Sequence, residues 1–163
     1  MYVEGFQAGG GVYMDVKYSG PDTENKKVLM LSGVASSRYY SKCTPSSLSP
    51  VGGAPPIQAG APVEYSPFTI CLFKSEVGGL SSTPRIGDAV SFKQISYVGK
   101  GSVPIVDLHD LANFRQYVPA TPEANYVWAI YGSLRTVTPG NYNLCISSDD
   151  GYENIPLAIS TKP

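Results

Sequence analysis

The sequence has few charged residues. Asp, Glu, Lys and Arg make up 15% of its 163 residues, against roughly a quarter in an average globular protein. The 12 basic and 13 acidic residues nearly cancel, and Lys26 and Lys27 form the one adjacent basic pair. A protein that binds a phosphate backbone needs a stripe of Lys and Arg. We therefore expect no nucleic-acid partner, and a charge-poor surface of this kind is typical of one that neighbouring subunits cover.

Residues that carry catalysis or bind metals are also scarce. His109 is the only histidine, and the three cysteines are dispersed along the chain. Because no Cys-x-x-Cys, His-x-x-x-His or Gly-x-Ser-x-Gly pattern is present, we expect no metal site, no cofactor and no catalytic residues. The alternatives are a pair of His109 with Cys71 or Cys145, and calcium bound at the acidic turn 149–153. A hydrogen-bonded loop histidine, buried strand cysteines and a solvated turn are the simpler interpretations.

The cysteine count is odd, with Cys43, Cys71 and Cys145, and no Asn-x-Ser/Thr acceptor for glycosylation occurs. Disulfide-bonded secreted domains usually carry cysteines in even number. We therefore expect a chain made in a reducing cytosol, with no disulfide within the chain and three free thiols.

Long apolar runs are missing as well. Residues 1–10 contain neither a positively charged start nor an apolar run, so we expect no signal peptide. A membrane helix needs about 20 consecutive apolar residues, and the longest runs here are a handful of residues. The sequence therefore predicts no membrane insertion.

The clearest pattern that is present covers residues 125–147. Tyr126, Trp128 and Ile130 alternate with a second apolar set, and a similar alternation starts at Tyr142 after a Pro-Gly-Asn turn. A period of two is typical of strands with packed faces, and Pro and Gly favour a turn. The stretch predicts a hairpin of two buried strands, with Trp128, the only tryptophan, anchored in the core.

Similar short runs occur along the whole chain, which we interpret as one domain over residues 1–163. They predict eight strands and no convincing helix; residues 109–117 have room for one helical turn only, and Gly99 to Ser102 favour a hairpin turn. The expected fold is an all-β, eight-strand antiparallel sandwich of jelly-roll or Greek-key type. An immunoglobulin-like sandwich is the alternative, but its Cys…Trp…Cys pattern is not matched, because Trp128 comes after Cys43 and Cys71 and Cys145 follows it too closely. The eight runs cover residues 12–18, 28–34, 68–74, 89–98, 103–108, 126–131, 142–146 and 155–159.

Residues 38–67 interrupt this pattern with a long Pro-, Gly- and Ser-rich loop. The segment contains six of the fourteen prolines, and each proline ring already fixes its own φ. A loop of this length in a compact domain is usually functional, an arm or disordered. We expect an extended arm that a neighbouring subunit orders, with Tyr39, Tyr40, Ile57 and Tyr65 as anchors.

The 12 tyrosines suit a second use, because aromatic rings make good platforms for sugars. Most tyrosines of a β-rich domain are half-buried strand residues. Those outside strong strand patterns are the candidate subunit-interface or ligand contacts; with Ile57, the set is Tyr39, Tyr40, Ile57, Tyr65 and Tyr152.

Two segments are similar, in order and type, to segments of the pentameric spike proteins of small single-stranded DNA phages. These are Phe68-Thr-Ile-Cys-Leu-Phe73 and Val118-Pro-Ala-Thr-Pro-Glu-Ala-Asn-Tyr-Val-Trp-Ala-Ile130. More broadly, the chain resembles the single jelly-roll structural proteins of icosahedral viruses. This resemblance implies a jelly roll that assembles around a fivefold axis as a virion vertex or spike, with no catalytic residues.

From these observations we expect a non-enzymatic structural protein that forms a homo-oligomer, contacts other virion proteins and resides in a virion after synthesis in the host cytoplasm. The alternative is a carbohydrate-binding or adhesin-type module that binds a glycan on a host surface. A cysteine-dependent enzyme is a distant third interpretation.

Overall fold

The computed structural model describes residues 2–29, 43, 68–82, 86, 93–132, 138 and 140–155, and the statements below concern these residues. They form nine strands and one α-helix. In chain order the elements are β1 (Tyr2–Gln7), β2 (Met14–Ser19), a 3₁₀ helix (Pro21–Thr23), β3 (Val28–Leu29), β4 (Phe68–Ser75), β5 (Ile95–Val103), β6 (Asp107–Leu108), α1 (Leu111–Tyr117), β7 (Tyr126–Tyr131), β8 (Asn143–Ser148) and β9 (Gly151–Ile155).

The strands form two antiparallel sheets, which confirms the all-β sandwich. One sheet has five strands in the order β5-β4-β7-β1-β9. In the other, β8 pairs with β2 along its whole length, while β3 and β6 pair with the two ends of β2 on its other side. The described residues hold nine strands rather than the expected eight, because β1 lies in a stretch where no strand was predicted.

The main core lies between the two sheets. Trp128, Ile130 and Leu72 of the five-stranded sheet meet Met14 and Val16 of the four-stranded sheet, and all five are buried. These residues occupy alternate positions in their strands, so the period of two does place one face of each strand in the core. The predicted role of Trp128 as a core anchor is confirmed.

Gly5 on β1 makes room for this anchor. It is the register partner of Trp128 across the β1–β7 pair, and a Cβ built on Gly5 would overlap the indole ring. The tryptophan therefore packs directly on the β1 backbone. A strand glycine that permits such a close approach has a packing reason.

The five-stranded sheet is also buried on its other side, by what we call the outer-face cluster. Its members are Phe6, Cys43, Cys71, Phe73, Ile86, Ile95, Val127 and Ala129. Alternate residues of β4 and β7 contribute to the two clusters, so these central strands are covered on both faces. This explains the continuous apolar runs at 70–73 in β4 and 126–131 in β7.

Cys43 and Cys71 form a disulfide within the chain, and Cys145 is free. The expectation of three free thiols is therefore wrong. An odd count requires only that one thiol is left over, and it does not forbid a single pair. The bond also holds residue 43 of the predicted arm against its own domain, whereas the rest of the segment 38–67 lies outside the described residues.

Residues 111–117 form a full α-helix rather than a single turn. The Asp110 side chain accepts a hydrogen bond of 2.7 Å from the Asn113 amide and so caps the helix. Phe114 is buried edge-to-face against Tyr126, with ring centroids 5.7 Å apart. Packing therefore stabilises a helix that is too short to be stable alone.

Strands β7 and β8 lie in opposite sheets, so the predicted hairpin of residues 125–147 is wrong. Strand β7 is paired on one side with β1 and on the other with β4, which leaves no edge for β8. Strand β8 pairs with β2 instead, and its residues are half-buried or exposed. Alternation identifies the faces of a strand and not its neighbours.

The expected turn at Gly99 to Ser102 lies inside the nine-residue strand β5. A Cβ on Gly101 would overlap the Tyr117 carbonyl at the end of α1, and one on Gly99 would come within 3.0 Å of Val118. These glycines therefore allow the helix end to approach the strand. Of the predicted strand 89–98 the structure describes residues from 93 onward, with β5 starting at Ile95; residues 30–34 and 156–159 of two other predicted strands lie outside the described part.

Candidate functional site

Four of the five predicted contact residues, Tyr39, Tyr40, Ile57 and Tyr65, lie outside the described residues. The fifth, Tyr152, has its backbone in β9, where it pairs with Gly5 of β1, but its side chain is not described. The arrangement of this set therefore stays a prediction.

The structure does bring together a polar group that we call the Asp15 cluster, formed by Tyr13, Asp15, Lys17, Asp107 and His109. Asp15 and Lys17 lie on β2, on the face opposite to Met14 and Val16 of the core. Asp107 on β6 is the register partner of Asp15. The four-stranded sheet therefore presents this cluster on its outer face.

Asp15 is the centre of the cluster. Its Oδ2 accepts hydrogen bonds of 2.5 Å from both the Tyr13 hydroxyl and the Lys17 ammonium. The side chain is only 1% exposed, and within the described residues its Oδ1 is buried without a hydrogen-bond partner. A carboxylate this enclosed needs compensating partners, which Lys17 and Tyr13 provide on one oxygen.

These contacts shift the pKa values of Asp15, Lys17 and Tyr13. Burial alone would raise the pKa of Asp15, but the hydrogen bonds from Lys17 and Tyr13 and the charge of Lys17 outweigh burial and lower it. The bond to Asp15 raises the pKa of Lys17 and also that of Tyr13. Each direction favours the ionised carboxylate with a protonated Lys17 and a neutral Tyr13.

His109 lies directly after β6 and contacts two other residues of the cluster, Asp107 and Tyr13. Its Nε2 is 2.7 Å from Asp107 Oδ1, and its ring meets the Tyr13 ring edge-on at 4.9 Å between centroids. The imidazole is 54% exposed, so a ligand in solvent can reach it. This agrees with the interpretation of His109 as a hydrogen-bonded loop residue.

The structure gives little support to a cysteine–histidine pair. Cys71 lies in the five-stranded sheet, opposite to the sheet that carries the Asp15 cluster, and is bonded to Cys43, so its thiol is not available. Cys145 is the register partner of Lys17 on β8, while the contacts of His109 run to Asp107 and Tyr13. The pair of His109 with Cys71 is therefore ruled out in the oxidised chain.

The acidic turn 149–150 makes hydrogen bonds that connect neighbouring strands of the fold. Asp150 Oδ2 accepts a hydrogen bond of 2.6 Å from the Ala8 amide, and the Asp149 amide donates to the Tyr13 carbonyl at 3.0 Å. This turn thus ties β1 and the start of β2 to the end of β8. Within the described part of the chain, no group of three or more His, Cys, Asp or Glu residues is arranged to hold a metal ion.

A second surface feature is the edge of the five-stranded sheet. Among the residues that the structure describes, strand β5 is the outermost strand beside β4, and only Ile95 and Val103 at its two ends are buried. Tyr97 is 52% exposed there and meets Phe73 edge-on, with centroids 5.8 Å apart. In the described part of the chain, this edge therefore carries a strand paired on one side only and an exposed aromatic ring.

Sequence reasoning identified His109 but missed the cluster around it. In the sequence, Tyr13, Asp15 and Lys17 alternate with apolar residues, a pattern that puts these three side chains on one face of a strand. The pairing of β2 with β6, which adds Asp107 and His109, is not encoded in that pattern. The sequence feature that indicates such a polar cluster is an aspartate, Asp15, between Tyr13 and Lys17 on the same strand face.

No protein-family model, no curated protein and no solved structure matches the chain. No helix in the described ranges has the length and apolar character needed to cross a membrane.

Proposed function

We propose that this chain is a non-enzymatic structural protein of jelly-roll type, which self-assembles into a symmetric oligomer as a vertex or spike component of a virion. The observation that carries the proposal is the nine-residue edge strand β5. An edge strand offers backbone groups to another strand, and Tyr is enriched at protein interfaces. The partners are further copies of this chain and other virion proteins.

Composition and sequence resemblance support the same function. Only 15% of the residues in the sequence are charged, so a neighbour that covers the surface removes few charged groups from water. The resemblance of the segments at 68–73 and 118–130 to phage spike proteins supports two further parts of the proposal, namely assembly around a fivefold axis and location in a virion after synthesis in the host cytoplasm.

A lysine substitution on the edge strand tests the role of β5. Tyr97→Lys adds charge at an exposed edge position, a change that natural sheets use against edge-to-edge pairing. Val28→Lys is the matched control, because Val28 is also exposed (38%) but lies on β3 of the other sheet. We expect sedimentation velocity to show an oligomer for the wild type and for Val28→Lys, and smaller species for Tyr97→Lys with unchanged circular dichroism. An unchanged oligomer in Tyr97→Lys contradicts the role of this edge.

The second candidate function is carbohydrate binding at the Asp15 cluster. The observation that favours it is the pair of rings, Tyr13 and His109, beside the carboxylate of Asp107. Carboxylates accept hydrogen bonds from sugar hydroxyls, and aromatic rings pack on the apolar faces of sugars.

His109→Ala separates the two functions. If the chain is a structural protein, the variant keeps its oligomer size, and saturation-transfer NMR with a panel of neutral and sialylated oligosaccharides shows no binding to either form. If the chain binds glycans at this cluster, the wild type gives transfer signals that the variant loses.

A further inference from the structure

The Asp15 cluster contains more carboxylates than cations. Its two carboxylates belong to Asp15 and Asp107, and its one ammonium group belongs to Lys17. Lys17 is bonded to Asp15, so these two charges neutralise each other. Asp107 contacts the imidazole of His109, which carries no charge in its neutral form. One negative charge of the cluster is therefore left without a matching ammonium or guanidinium group.

The buried oxygen of Asp15 is a second, separate sign of a missing donor. Asp15 lies in one register row between Asp107 on β6 and Ser147 on β8. Its side chain is 1% exposed, and within the described residues its Oδ1 accepts no hydrogen bond. A buried acceptor without a partner costs free energy. Because Ser147 is exposed, this row reaches the protein surface, where a donor from solvent can approach.

The exposed side of the cluster combines a carboxylate with two rings. Asp107 is 34% and His109 54% exposed, and the rings of His109 and Tyr13 meet edge-on. Aromatic rings attract cations, and a carboxylate bonds a charged donor about twice as strongly as a neutral one. The hydrogen bonds to Asp15 are the main cause of the raised pKa of Tyr13 and of Lys17, and the negative charge of Asp107 adds to both.

We propose that the Asp15 cluster binds a small organic cation through a primary ammonium group, at the side that Asp107, His109 and Tyr13 expose. An ammonium group supplies the missing positive charge and three hydrogen-bond donors. Anionic ligands such as acidic sugars are disfavoured by Asp107.

Amino sugars and polyamines both carry a primary ammonium group. The proposal shares its location with the second candidate function, carbohydrate binding, and it does not depend on assembly. If the ligand is a sugar, the charge of the cluster selects an amino sugar.

The single histidine provides a direct test, because His109 gives the only imidazole signals in the proton NMR spectrum. The native full-length chain is titrated at constant pH and ionic strength with glucosamine, spermidine, glucose and glucuronate. We expect saturable shifts of the His109 signals with an amine and none with glucose or glucuronate. A response to glucosamine alone identifies an amino sugar, a response to spermidine alone identifies a polyamine, and a response to both shows that the ammonium group suffices.

Asp107→Asn tests the carboxylate, because it keeps the shape of a half-exposed side chain and removes its charge. We expect the affinity for the amine to fall about tenfold or more, the value of a hydrogen bond to a charged group. Glu123→Gln is the matched control, since it removes the same charge from an exposed position before β7 and should leave the affinity unchanged. Circular dichroism checks that both variants are folded.

Four results would overturn the proposal. They are no saturable shift with either amine, an equal or larger response to glucose or glucuronate, unchanged affinity in Asp107→Asn, and an equal loss of affinity in Glu123→Gln. A response to glucose without one to the amines would leave carbohydrate binding in place and remove only this inference. The oligomer size, measured separately by sedimentation, decides the assembly function whatever the titrations show.

Discussion

Replacing Gly5 with alanine should destabilise the protein strongly, because the substitution adds a methyl group where the indole of Trp128 already lies. Three indole atoms fall within overlap distance of the added Cβ. Neither partner can move easily: β1 is held between β7 and β9, and Trp128 is 2% exposed within the core.

The expected cost is at the upper end of the range for overpacked cores, about 3 kcal/mol. In a domain of this size, a loss of about 3 kcal/mol lowers the melting temperature by roughly 6–12 °C. Urea unfolding measures the free energy directly, since Trp128 is the only tryptophan and reports the core; circular dichroism checks that both sheets unfold together.

Gly9→Ala is the matched control. Its added Cβ would meet only the Ala124 methyl carbon at 3.8 Å, an ordinary contact, so the free energy of unfolding should change by less than about 0.5 kcal/mol. If Gly5→Ala is as stable as Gly9→Ala, Trp128 does not pack on the β1 backbone and the described β1–β7 register is wrong.

Two further predictions concern the disulfide and the Asp15 cluster. Cys43→Ser removes a cross-link between residues 28 positions apart, so the chain-entropy relation predicts a loss of about 3–4 kcal/mol in the free energy of unfolding; Cys145→Ser should be close to neutral, and equal urea midpoints for the two variants would contradict the bond. Because the folded pKa of Asp15 is lowered, its stabilisation is complete above the unfolded value of about 3.9 and is lost as pH falls through the lower folded pKa. The wild type should therefore lose more unfolding free energy than Asp15→Asn between about pH 5 and pH 2, and parallel pH curves would show that the cluster does not stabilise the fold.

The strands with strong alternation could be predicted from the sequence. Strands β2, β4 and β7 lie where the period of two places them, because one face of each is in the core. Strand β1 was missed since Glu4 is buried on the outer face and Gly5 has no side chain, so neither position shows the usual contrast between apolar and polar residues. Burial of a charged residue is decided by the residues that cover it, and these are distant in sequence.

The sequence pattern does not show which strands pair with each other or which cysteines form the disulfide. The pattern of β8 is compatible with either sheet, and it is the pairing of β7 with β1 and β4 that excludes β8 as a neighbour of β7. The partner of Cys71 is equally hidden, because Cys43 lies in a Pro-rich stretch without periodicity. The Asp15 cluster depends on the same kind of information, namely which strand lies next to β2.

The mass of the native protein tests the central claim most directly. Native mass spectrometry and sedimentation of the purified full-length chain, over a range of concentrations, should give one discrete species at an integer multiple of the chain mass, and electron microscopy of that species should show rotational symmetry. A monomer at every concentration, or a continuous ladder of sizes, would contradict a structural protein that assembles with closed symmetry.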